Sequence, residues 1–149
     1  MKHASIEREI RIEAAPDVVY KVVSAPEHVR EWWPDEAAYT PAPGGTGVIA
    51  FGEEKCVPLT VLEADPPKLF RFRWAYGEGE VATPENSFLV TFELIPDGAG
   101  TLLRFSETGF TEKYAEDAER AQEYDDHVNG WNHFLPRLVA YAGRLVSSA

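Results

Sequence analysis

The 149-residue chain has little cysteine, little positive charge and no long apolar run, and each shortage excludes something. Cys56 is the one cysteine, so no internal disulfide framework can form and nothing calls for an oxidising compartment; a cytoplasmic location is expected. Lys and Arg total 14 against 25 Asp and Glu, a formal charge of −11. That charge opposes polyanions, so no nucleic acid partner is expected and anionic membrane surfaces are disfavoured. No stretch approaches the roughly 18 apolar residues of a membrane span, and the segment Met1 to Glu9 turns charged before the apolar stretch of a signal peptide can develop.

Catalytic and metal signatures are equally scarce. There is no Gly-x-Ser-x-Gly elbow, no His-Glu-x-x-His and no paired cysteine. His127 and His133 lie six apart, which does not stack them on one helix face, and Gly44-Gly45-Thr46-Gly47 lacks the Lys-Ser/Thr of a phosphate loop. No metal and no cofactor are therefore expected, and no catalytic residue is assigned outright. Cys56, in a strand pattern, reads as a buried small hydrophobe rather than a nucleophile.

Rings, in contrast, are plentiful: four Trp, six Tyr and eight Phe. Their placement follows from the elements. Residues 6 to 13 alternate Ile6, Ile10 and Ile12 with charges, which predicts a half-buried strand. Pro16-Asp17 then opens a helix with the apolar stripe Val18, Val19, Val22 and Val23, and a second short helix runs roughly from Glu27 to Trp32. The Pro/Gly-rich segment from Pro34 to Gly47 predicts a long surface loop. Five further strands follow (48–51, 56–64, 68–76, 87–95, 101–108), joined by turns at Gly52-Glu53-Glu54, Asp65-Pro66-Pro67, residues 77–86 and Asp97 to Gly100. A long helix from about Tyr124 to Val146 closes the chain. Pro136 removes one of its backbone donors, which predicts a kink near Asn132 to Leu135, and Gly130 loosens the same region. No repeat or linker divides the chain. The expected architecture is one α+β domain over residues 1–149, a curved antiparallel six-stranded sheet wrapped around the C-terminal helix, with two short helices after the first strand.

Phe70, Phe72, Trp74 and Tyr76 share one parity of a single strand; Phe88 and Phe92 repeat the pattern, and Leu103 and Phe105 extend it. With Trp131 and Phe134 facing them from the helix, these rings either fill the core or line a cavity for an apolar, aromatic small molecule. The candidate ligand-binding residues are Trp33, Phe51, Phe72, Trp74, Tyr76, Phe88, Phe92, Phe105, Glu107, His127, Trp131 and Phe134, with the 77–86 loop as a rim. Trp32 and Trp33, read as neighbours on a helix, are expected to diverge, one onto the sheet and the other over the pocket or at an interface.

Glu107 falls in the inward parity after Leu103 and Phe105, and Arg8 lies between Ile6 and Ile10. Pairing of the first and last strands would bring Arg8 to Glu107, as a structural ion pair or as the anchor for a ligand's polar group. His127 stands one turn after Glu123 and one before Trp131. It reads as a helix-surface histidine satisfied by solvent or Glu123, or as an acid/base group working with Glu107. The run from Glu112 to Asp126 holds seven carboxylates against Lys113 and Arg120, the pattern of a solvated face or of a docking surface for a basic partner.

In its order of motifs the chain resembles the SRPBCC (START and birch-pollen-allergen-like) helix-grip superfamily, and within it the group named for the C-terminal domain of the heat-shock-protein ATPase activator. The resemblance is carried by Ile10 to Tyr20, Trp32-Trp33-Pro34, Val61 to Leu69 leading into Phe72-Arg73-Trp74, Gly100-Thr101-Leu102 leading to Gly109-Phe110, and Gly130-Trp131 with Leu135 and Leu138. It implies a helix-grip fold with a cavity between sheet and helix. It also implies one of three roles: a non-enzymatic carrier or sensor of an apolar ligand, which is the leading expectation; a cyclase/aromatase or hydrolase; or a chaperone's partner, as monomer or homodimer.

Overall fold

Alternation of Ile6, Ile10 and Ile12 with charged residues does produce a strand, β1 (Ser5–Ile12), which turns Ile6 and Ile12 fully into the interior. The computed structural model describes residues 4–52 and 55–147; the expected turn residues Glu53 and Glu54 and both termini lie outside them. After β1 come α1 (Pro16–Ser24) and α2 (Pro26–Val29), each with proline in its first turn, where the missing N–H is no loss. Then follow β2 (Glu36–Tyr39), β3 (Thr46–Phe51), β4 (Lys55–Asp65), β5 (Leu69–Trp74), β6 (Phe88–Asp97) and β7 (Gly100–Thr108). Two helices end the chain, α3 (Phe110–Lys113) and α4 (Asp117–Ser147).

The strands form one antiparallel sheet in the order β1-β7-β6-β5-β4-β3-β2. It has seven strands rather than six. The additional strand, β2, lies in the segment expected to be a loop: Glu36-Ala-Ala-Tyr39 pairs with residues 47–50 of β3 although proline and glycine surround it. Leu62 is the extra residue of a bulge where β4 pairs with β5, a device that bends a sheet and increases its twist. The inner face carries Phe70, Phe72, Trp74, Phe88, Val90, Phe92, Leu103 and Phe105, and α1 and α4 cover it.

Several sequence expectations need correction. α2 ends at Val29, so Trp32 and Trp33 follow it in a turn rather than sharing a helix. Both are buried, and their rings stack 20° from parallel with centroids 6.0 Å apart. Cys56 is exposed, because Val57, Leu59 and Val61 occupy the inward parity of β4. α4 begins two turns early, at Asp117: the acidic run supplies its first turn, where carboxylates complement the positive end of the helix dipole. The helix continues through Pro136 without a break. Between β7 and α3, Gly109 takes a φ of +116°, and a Cβ there would lie 2.6 Å from the Ser87 carbonyl oxygen, so glycine is what lets the chain leave β7 and cross the end of β6.

Candidate functional site

The strand alternation that buries Leu103 and Phe105 carries Glu107 to the same face, where its side chain has no solvent exposure. A carboxylate so placed requires compensation. Three N–H groups provide it: the Trp74 indole donates to Oε2 at 2.8 Å, the Trp131 indole donates to Oε1 at 2.8 Å, and the His127 imidazole donates from Nδ1 to Oε1 at 2.6 Å. Trp74 reaches across β6 from β5, while His127 and Trp131 descend from successive turns of α4. The carboxylate thus ties the sheet to the helix through four residues from three elements. Because it can only accept, it fixes the ring orientation of His127 with the proton on Nδ1.

Arg8 is not part of this arrangement. It stands opposite Phe105, one inward position short of Glu107, whose own partner on β1 is Ile6. The Arg8 guanidinium turns to the Glu7 carbonyl and the Asn132 side chain instead. The expected Arg8–Glu107 pair is therefore replaced by neutral indole donors. His127, similarly, is no surface histidine. Its side chain is 12% exposed, packs edge and face on Phe88 and Phe110, and presents Nε2 3.6 Å from Glu123.

Above Glu107 opens a pocket of about 390 Å³ between α4 and the β3–β5 side of the sheet. Trp33, Phe51, Trp74, Trp131 and Phe134 supply its rings, and Glu123, Asp126, His127 and Gly130 its helical rim. Trp33 is the keystone of the wall, with centroids 5.0 Å from both Trp74 and Trp131 and 6.0 Å from Phe51. Six of the twelve candidates thus line the pocket, and Glu107 supports it from beneath. Phe72, Phe88, Phe92 and Phe105 lie deeper, each 2% exposed or less, as the packed floor. Tyr76 departs altogether. Ala75 takes a left-handed φ of 66°, which breaks the alternation after Trp74, and the Tyr76 hydroxyl bonds Thr60 on the outer face of β4. Residues 77–86, expected as a rim, are absent from the pocket lining. Glu123 and Asp126, part of the acidic run in sequence, stand at the mouth; the i, i+4 relations of Glu123 to His127 and of Asp126 to Gly130 are the signal that places them there. Among the described residues no cluster of three or more His, Cys, Asp or Glu side chains could hold a metal ion.

Near the rim, the Tyr114 hydroxyl bonds Glu123, and burial together with that carboxylate pushes its pKa up to about 12. Burial also raises Tyr39, Tyr20 and Tyr141, with Glu27, Asp65 and Glu31 adding to it. Unfolded tyrosine ionises near its ordinary 10.0 while these native groups keep their protons, so the stability they contribute is complete below that value and is lost as pH rises through the native range. The denaturation midpoint is expected to fall between pH 10.0 and about 12, in step with tyrosinate absorbance; a midpoint constant over that interval would contradict this.

Compared with known proteins, residues 13–143 match the family model described as Activator of Hsp90 ATPase homolog 1-like protein. The chain belongs to this family. The fold recurs in protein MLL2253 from Mesorhizobium loti, at 22% identity over 94% of this chain and 97% of the other, with a TM-score of 0.75. CalU16 from Micromonospora echinospora matches at 21% identity, covering 97% and 79%, with a TM-score of 0.67. The Aha1 dimer from Colwellia psychrerythraea matches at 20% identity, covering 91% and 92%, with a TM-score of 0.66. These likenesses show that the chain has the helix-grip fold. No curated protein matches it in sequence. No helix among the described residues is long and apolar enough to cross a membrane.

Proposed function

We propose that the protein binds an apolar small molecule with an aromatic or extended hydrocarbon body, as a carrier or sensor, in the pocket between the sheet and α4. The observation that carries this reading is the ring-walled opening over Glu107: a packed floor closes it below, and Trp33, Phe51, Trp74, Trp131 and Phe134 meet around it without filling it. Pockets of this size, apolar with a few placed polar groups, bury small ligands well, and desolvation contributes about 25 cal/mol per Å² of apolar surface removed from water.

Thermal-shift and native mass-spectrometric screening of lipids, flavonoids and polyketides tests it. A ligand at about a hundred times its Kd should raise the melting temperature by roughly 5–10 °C and appear as a one-to-one adduct. A panel that leaves both the melting temperature and the tryptophan emission unmoved would overturn the reading.

The bond of 2.6 Å between His127 and Glu107 favours a second reading, acid/base catalysis in the same pocket. With Nδ1 donating to Glu107, Nε2 of the neutral ring is the atom able to take a proton from a bound substrate, and Glu107 acts as a positioning residue, being sealed from any ligand. Turnover of a ligand found in the screen, abolished by His127→Phe with binding retained, would establish it; binding without turnover leaves the carrier. Assistance to a heat-shock ATPase, the role in the family's description, is separable by adding the purified protein to such an ATPase and following its rate.

A further inference from the structure

We propose that the pocket's occupant is an organic cation, a protonated or quaternary amine carried on an apolar body; this rests on the binding reading above and specifies its ligand class. The permanently charged groups that line the pocket are carboxylates, and His127 in the same lining points its two ring nitrogens at Glu107 and Glu123. The lining includes Glu123 and Asp126 and contains neither Lys nor Arg. Its walls include three indoles, the rings over which a cation is held most strongly. Behind two of them lies a third carboxylate: Glu107 accepts the N–H of Trp74 and of Trp131 and the Nδ1 bond of His127, and among the described residues no Arg or Lys pairs with it.

Donation to a carboxylate pushes electron density into an indole and so strengthens the negative potential of its faces. It also uses up the N–H groups with which these rings could otherwise hold an anion. At zero exposure the Glu107 charge is not screened by solvent, so it acts on the pocket through a low-dielectric wall. The arrangement therefore attracts a cation three times over, from the rim carboxylates, the ring faces and the charge behind them. Phe134 of the same wall already has a cation over its ring, Arg137 at 5.9 Å from the centroid.

Three probes of one shape and different charge test this: naphthylmethylammonium, naphthylmethanol and naphthoate, titrated at slightly alkaline pH into protein labelled with ¹⁵N at its indoles. The expected result is that the Trp33, Trp74 and Trp131 resonances shift with all probes that bind, that the ammonium binds about ten-fold tighter than the alcohol, and that naphthoate binds weakest. In the Glu123→Gln/Asp126→Asn double variant the ratio of ammonium to alcohol affinity should fall several-fold. Equal or tighter binding of the alcohol or the carboxylate would overturn the cation inference and leave the binding pocket standing. Unmoved indole resonances with all three probes at millimolar concentration would overturn both.

Discussion

Replacing Glu107 with Gln is expected to lower the melting temperature by roughly 5–10 °C. The amide can accept at one atom and must present N–H groups at the other, yet indole or imidazole N–H donors occupy both positions. Whichever way the amide turns, a donor faces a donor. Glu107→Leu should cost more, about 3–5 kcal/mol, because all three donors then lose their acceptor in the interior. The decisive measurement is the combination. When Trp74→Phe and Trp131→Phe remove two of the donors, adding Glu107→Leu should cost far less than it does alone, since a buried site emptied of both partners has fewer orphans. Strict additivity of these changes would show that the carboxylate is not the acceptor that joins β5 to α4.

Trp32→Ala is expected to cost about 3–5 kcal/mol. Trp32 is fully buried, donates its N–H to the Val22 carbonyl at the end of α1, stacks on Trp33 and meets Phe92 edge-on. It thus anchors the turn after α2 to both α1 and the sheet, and the cavity left by its loss would lie where no neighbouring segment can collapse without moving a helix. Urea denaturation of the variant measures the cost. A loss below about 1 kcal/mol would mean that the two tryptophans do not share the interior in this way.

The strands that alternate cleanly, β1, β5, β6 and β7, were legible because burial of one face forces a period of two, and the inward placement of Glu107 followed from the same counting. Its partners were not legible. They depend on a diagonal reach from Trp74 across β6 and on how deeply α4 lies over β7, neither of which leaves a spacing in the sequence. The Arg8 expectation failed for a related reason: parity assigns a face, whereas register assigns a neighbour, and register here places Ile6 opposite Glu107. β2 was hidden because four residues among prolines and glycines carry no periodic signal, although Tyr39 ties it to the Ser24 carbonyl through its hydroxyl. Tyr76 was lost to a single backbone angle at Ala75, a non-glycine residue with φ above zero that propensity would not place there. The start of α4 was obscured because its first turns face solvent and bear no apolar stripe.

All four tryptophans of the chain fall in one continuous cluster, Trp32 on Trp33, and Trp33 on both Trp74 and Trp131, at centroid separations of 5.0–6.0 Å. The molecule therefore carries a single indole locus. Light absorbed by any indole is shared among rings in contact, so tryptophan emission describes the junction of sheet and helix and is silent about the β2 edge and the far end of α4, where Tyr39 and Tyr141 are the aromatic groups. An unfolding curve recorded by tryptophan emission and one recorded by backbone dichroism report different places, and their coincidence would be evidence that the junction and the sheet margins come apart together.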